Sequence, residues 1–152
     1  MKTKLIFLIC VLPLIGAEPA GYKYWSAAEL KGFSEALAPK VNAQKFVSQR
    51  LTDYGNHYTM VAHREGNGEA ELHETESDLF VVTSGTAMLT VGGVLQNGKT
   101  TAPNELRGPS IDGGTKQKLS AGDIVHIPPK TAHQLLLEPG AEFTYFVMKV
   151  KE

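Results

Sequence analysis

The residues of this chain with the widest chemical reach are five histidines, His57, His63, His73, His126 and His133, and the carboxylates set among them. Glu71 and His73 stand two apart in a strand-like stretch, so their side chains face the same way. Asp78 follows a short polar break at 75–77, and His133 comes just after Pro128-Pro129, where the chain must turn. Imidazole and carboxylate together make a mixed nitrogen and oxygen donor set suited to iron, manganese, nickel, copper or zinc. If both carboxylates bind, the site is oxygen-rich and negative. If one binds, two histidines and a carboxylate leave coordination positions open, as a reacting metal requires.

The other histidines have secondary expectations. His126 leads into Pro128 and alternates onto the face of Ile124, opposite Val125 and Ile127; it is the candidate general base. His57 and His63 are six apart and share a strand face, where they are read as substrate-lining residues together with Gln134. Met60, Met88 and Met148 occur singly on strands and are read as core.

The elements that must position these residues are short. Candidate strands run over 45–51, 57–64, 69–73, 79–83, 87–91, 123–127, 134–137 and 143–150. They are punctuated by turn signals such as Gly66-Asn67-Gly68, Thr83-Ser84-Gly85, Gly92-Gly93, Asn97-Gly98 and Gly113-Gly114. Many short strands without intervening helices predict an antiparallel barrel or jelly roll. One helix is expected ahead of them: Ser26 and Glu29 form a capping box, Leu30, Phe33 and Leu37 follow at helical spacing, and Pro39 limits the far end. The polar, glycine-rich segment 96–118 reads as a long loop, either over the barrel mouth or as a surface insertion.

Residues 1–17 are expected to be a secretory signal peptide: Lys2 and Lys4, an apolar run from Leu5 to Ile15, then Gly16-Ala17. Residues 18–44 form a tether and helix, and 45–152 the barrel. Cleavage would remove Cys10, the only cysteine, together with Lys2 and Lys4, and move the net charge from −1 to −3. The mature chain would then have no disulfide, no thiolate ligand and no cysteine nucleophile, and would be secreted or periplasmic. No basic block suggests nucleic acid, and no membrane partner is expected after cleavage. Nucleophile-elbow, phosphate-loop and dinucleotide motifs are absent.

The two segments ELHETESDLFVVTSG (71–85) and GDIVHIPPKTAHQLLL (122–137) resemble the two motifs of the cupin superfamily. The first motif, H-x-H, three or four residues, E, six residues, G, is matched in spacing by Glu71, His73, Asp78 and Gly85. The second, G, five residues, P-x-G, two residues, H, three residues, N, is matched by Gly122, Pro128, Lys130, His133 and Leu137. The resemblance covers about residues 55–150 and implies an all-β fold, a cupin-type antiparallel jelly-roll β-barrel behind a short N-terminal α-helix. It also implies one divalent transition metal (copper, iron or manganese) held by Glu71, His73, Asp78 and His133. Four positions depart from the motifs: glutamate (Glu71) replaces the first histidine, the shorter aspartate (Asp78) replaces the glutamate, and Lys130 and Leu137 replace the glycine and asparagine of the second motif, which bears on the turn geometry and the polar lining.

The resemblance implies a secreted mononuclear oxidoreductase, an oxidase, dioxygenase or oxidative cleavage enzyme, acting on a small organic or carbohydrate substrate and forming a homodimer. The alternatives are a non-catalytic sugar or small-molecule binder with a degenerate site, and a metal-dependent isomerase or lyase.

Overall fold

A single long strand organises the molecule. In the computed structural model, which describes residues 17–152, β4 (Glu76–Val91) runs for 16 residues and belongs to two sheets at once. Its first part pairs with β12 (Phe143–Lys151) and β10 (Ile124–Ile127); its second part pairs with β9 (Thr115–Ser120) and β11 (His133–Leu136). One sheet extends from β12 through β2 (His57–Arg64) to β1 (Phe46–Asp53). The other extends from β11 through β3 (Ala70–His73) and β7 (Glu105–Gly108) to β6 (Lys99–Ala102). A small hairpin of β5 (Val94–Gln96) and β8 (Ser110–Asp112) stands beside them. All pairings are antiparallel, as the jelly-roll expectation requires.

Period-two alternation fills the space between the sheets. Phe80 and Val82 of β4, Phe143, Tyr145 and Val147 of β12, Ala62 of β2 and Leu135 of β11 form one buried cluster with Ala87, Leu89, Leu119 and Ile127. The outer face of β12 carries Thr144 and Phe146, and the helix α1 (Ala27–Leu37) packs there, with Ser34 meeting Thr144 and Leu37 buried. Trp25, just ahead of the helix, lies 5.5 Å from Phe146. The capping box is present in both directions: Glu29 N–H donates to Ser26 Oγ, and Ser26 N–H donates to Glu29 Oε2. Pro39 falls in a 3₁₀ turn (Ala38–Lys40) that closes the helix.

The structure corrects two sequence-based expectations. Thr83-Ser84-Gly85 does not separate two strands. The chain stays extended through a bulge, where the register shifts opposite Thr144 and Tyr145. Segment 96–118 is not a loop: tight turns at Asn97 and Asn104, both with positive φ, and at Gly113-Gly114 fold it into β6, β7 and β8 and lead into β9. Turn residues this closely spaced look like loop composition, but each turn joins two short strands of three to six residues. At Lys130, which stands in place of the second motif's glycine, the left-handed turn is kept: Lys130 adopts φ 60° and its N–H donates to His73 O at 2.6 Å. Lys130→Gly is therefore expected to leave stability equal or raise it by up to about 1 kcal/mol, and Lys130→Val to lower it by about 1 kcal/mol, as read by thermal melting.

The expected leader lies outside the described residues apart from Ala17. Among the described residues, no helix is long and apolar enough to cross a membrane.

Candidate metal centre

Cross-strand register assembles the site. Glu71 on β3 lies opposite His133 on β11 on one side and opposite Arg107 on β7 on the other. His73, two residues further along β3, lies opposite Glu105. On the facing sheet Asp78 of β4 lies opposite Lys149 of β12. The spacing Glu71-x-His73 puts both side chains on the inner face of β3, and curling of the sheets brings that face onto Asp78 and Lys149.

The distances are those of a converging donor set. Asp78 Oδ2 lies 3.3 Å from His133 Nε2 and 3.4 Å from His73 Nε2. Glu71 Oε2 is 3.6 Å from His73 Nε2. Ligand atoms of Glu71, His73 and His133 all fall within 4.8 Å of one another. His73, Asp78 and His133 are buried, and Glu71 is nearly so.

Hydrogen-bond accounting tests whether these residues fit a metal. His133 Nδ1 lies 3.1 Å from Thr131 O, which can only accept, so this nitrogen carries a proton. A neutral His133 then presents a lone pair on Nε2 to the carboxylate oxygen of Asp78. The contact is satisfied only by a second proton on His133 or by a cation between the two groups. Asp78 Oδ1 adds to this: it is buried, has Lys149 Nζ 2.6 Å away as a charge contact, and makes no aligned hydrogen bond. Ligating histidines are commonly oriented by just such a carbonyl on the far nitrogen. His73, His133 and Asp78 therefore fit a metal. Glu71 offers Oε2 to the same space while its Oε1 accepts from Arg107 Nη1 at 2.9 Å and from Arg64 Nη2 at 3.4 Å.

A cavity of about 190 Å³ opens beside these groups. Its wall takes the inner row of β2, Tyr58, Met60, Ala62 and Arg64, with Tyr145, Val147 and Lys149 of β12 and Glu105 and Arg107 of β7. Burial, helped by the Glu76 charge, pushes the Tyr58 phenol up to about 12. Arg64 is anchored by Tyr145 Oη, which accepts from its Nε at 3.2 Å, and by the Phe46 ring 4.3 Å away. Burial alone would raise the Asp78 carboxyl. The close His133 and His73 imidazoles and the Lys149 charge outweigh it and hold the group far below the usual carboxylate range.

The remaining sequence-predicted residues lie elsewhere. His57 and His63 do share a face of β2, but it is the outer one, because the inner row is the even-numbered one. His57 stacks on Tyr54, and His63 is buried against Thr144. Neither lines the cavity. His126 is exposed on the outside of β10 beside Ile124, so the alternation holds but the general-base role has no substrate space to act on. Gln134 is buried and spends its amide on Gly68 O and Pro109 O, bracing two loops and not facing the main cavity. Sequence reasoning missed Arg64, Glu105, Arg107, Tyr58 and Lys149. Lys149 had a signal: it continues the inward series Phe143, Tyr145, Val147 at period two. Arg107 and Glu105 had none, being hidden in the segment read as a loop.

No family model matches the chain, and no curated protein does. Solved structures do. A Klebsiella pneumoniae protein with a double-stranded β-helix domain is 17% identical, with TM-score 0.56, covering 86% of this chain and 90% of that one. A cupin-2 domain from Rhodospirillum rubrum is 15% identical, with TM-score 0.53, covering 72% and 62%. The chain has the cupin fold. A third similar structure, the DMSP lyase DddQ from Ruegeria pomeroyi, is 15% identical with TM-score 0.51, covering 71% of this chain and 48% of the lyase. At these identities the likeness speaks for the fold of this chain alone, and its site has to be argued from its own residues.

Proposed function

We propose that this cupin is an exported, metal-dependent enzyme acting on a small organic substrate, with one divalent transition metal held by His73, His133 and Asp78 and approached by Glu71. The observation that carries the reading is the buried contact between His133 Nε2 and Asp78 Oδ2, a lone pair facing a carboxylate oxygen that either a second proton on His133 or a bound cation satisfies. A bound metal of this class supplies Lewis acidity or oxygen activation. The chain's own residues do the rest. Thr131 O fixes the His133 ring, Arg64 and Arg107 orient Glu71, and the walls formed by Met60, Val147 and Phe80 limit water beside the donors.

Three basic and three acidic side chains line the cavity: Arg64, Arg107 and Lys149 against Glu71, Asp78 and Glu105. A divalent ion would tip that balance positive, which favours a small organic anion over a neutral polysaccharide. Oxidative chemistry is the first reading. A metal-assisted lyase or isomerase step is the second, favoured by Tyr58, whose high pKa keeps a proton donor in the cavity wall.

Elemental analysis of protein expressed in metal-replete medium tests the proposal. About one equivalent of metal is expected, with His73→Ala and His133→Ala folded but largely metal-free. Oxygen consumption with a panel of small organic acids then separates the first reading from the second. A native protein that takes up no metal would instead be a binder.

A further inference from the structure

One atom in the donor cluster has two claimants. His73 Nε2 lies 2.7 Å from Lys149 Nζ, and an ammonium only donates, so the ring's single Nε2 lone pair is already in use. The same ammonium stands 2.6 Å from Asp78 Oδ1. It thus contacts two of the groups that would hold a metal, at hydrogen-bond distance. A metal held by His73 Nε2 would need the same lone pair. Lysine and metal cannot both be served.

The lysine is not there by chance of a flexible surface arm. Its place is set by the Lys149–Asp78 register pair, at the end of an inward row of Phe143, Tyr145 and Val147, and its side chain is only 13% exposed. Nor is it confined there, because the 190 Å³ cavity lies directly alongside and the four-carbon stem is flexible.

We propose that Lys149 is the resident cation of the metal-free site and that a divalent ion binds only by displacing its ammonium from His73 and Asp78. Lys149 then sets how readily the site loads: it protects the buried carboxylate when metal is absent and lowers metal affinity in proportion. The inference rests on the metal-binding reading above.

The test uses cobalt(II) as the probe. In the wild-type protein, acetylation of Lys149 by a small anhydride, followed by mass spectrometry, is expected to be slow without metal and at least several-fold faster with saturating cobalt(II). The Lys149→Met variant is expected to bind cobalt(II) at least tenfold tighter by calorimetry. Its melting temperature without metal should be below wild type, and cobalt(II) should restore it. Cobalt(II) that binds both proteins equally and leaves the labelling rate unchanged would overturn the role of Lys149 while leaving the metal reading intact. Binding only by the variant would support the displacement and count against metal use by the native protein. Binding by neither would overturn both.

Discussion

Gly85→Ala is expected to destabilise the protein at or beyond the roughly 3 kcal/mol that bounds most point mutations. A methyl group built there would lie 1.8 Å from Glu142 O and 3.1 Å from Phe143 Cα, inside any permissible contact. The backbone φ of 78° adds a penalty of about 1–2 kcal/mol for any residue with a side chain. Relief by local movement is closed off, because Phe143 is fully buried and Gly85 is its register partner at the bulge where β4 passes from one sheet to the other. The melting temperature should fall by on the order of 10 °C, with loss of near-ultraviolet dichroism from Tyr145 and its neighbours well before wild type. Gly122 also has a positive φ, 95°, but has open space around it, so Gly122→Ala should show only the backbone part of the loss.

Removing Asp78 should be the most costly change within the site. Asp78→Ala leaves the Lys149 ammonium buried beside the His73 imidazole without its carboxylate, and breaking a buried pair in this way costs about 3–5 kcal/mol. Adding Lys149→Met should recover much of the loss, since neither charge then remains unpaired, and urea unfolding of the single and double variants measures this. The pH dependence has a definite sign. The folded-state pKa of Asp78 lies below its unfolded value, so its stabilisation is complete above the unfolded value of about 4 and is lost as pH falls through the folded one. The stability gap between wild type and Asp78→Ala should therefore be constant near neutrality and shrink as the solution is acidified below about pH 4.

Much of the frame was legible in the chain because period-two alternation and turn residues are local properties. The span 57–64 coincides with β2, and 143–150 falls one residue short of β12. The capping box at Ser26 and Glu29 was legible for the same reason. The segment 96–118 was not, because three- and four-residue strands bury almost nothing: β6 is exposed throughout, so no apolar pattern marked it. The face of His57 and His63 was not either, since alternation says which residues share a face but not which face turns inward.

The sequence by itself determined that His73, His133, Asp78 and Glu71 could converge. Their spacing within two motif-like segments is a one-dimensional property that the fold then honours. Only the tertiary structure decided what surrounds them. Arg107 and Glu105 reach the site through the pairing of β7 with β3, Arg64 through the end of β2, and Lys149 through its register with Asp78. Such contacts join residues as far as 81 positions apart, as Arg64 and Tyr145 are, and the charge balance of the centre is set by those partners. Coulombic energy depends on separation in space, and separation in space is what the linear order of the chain does not carry.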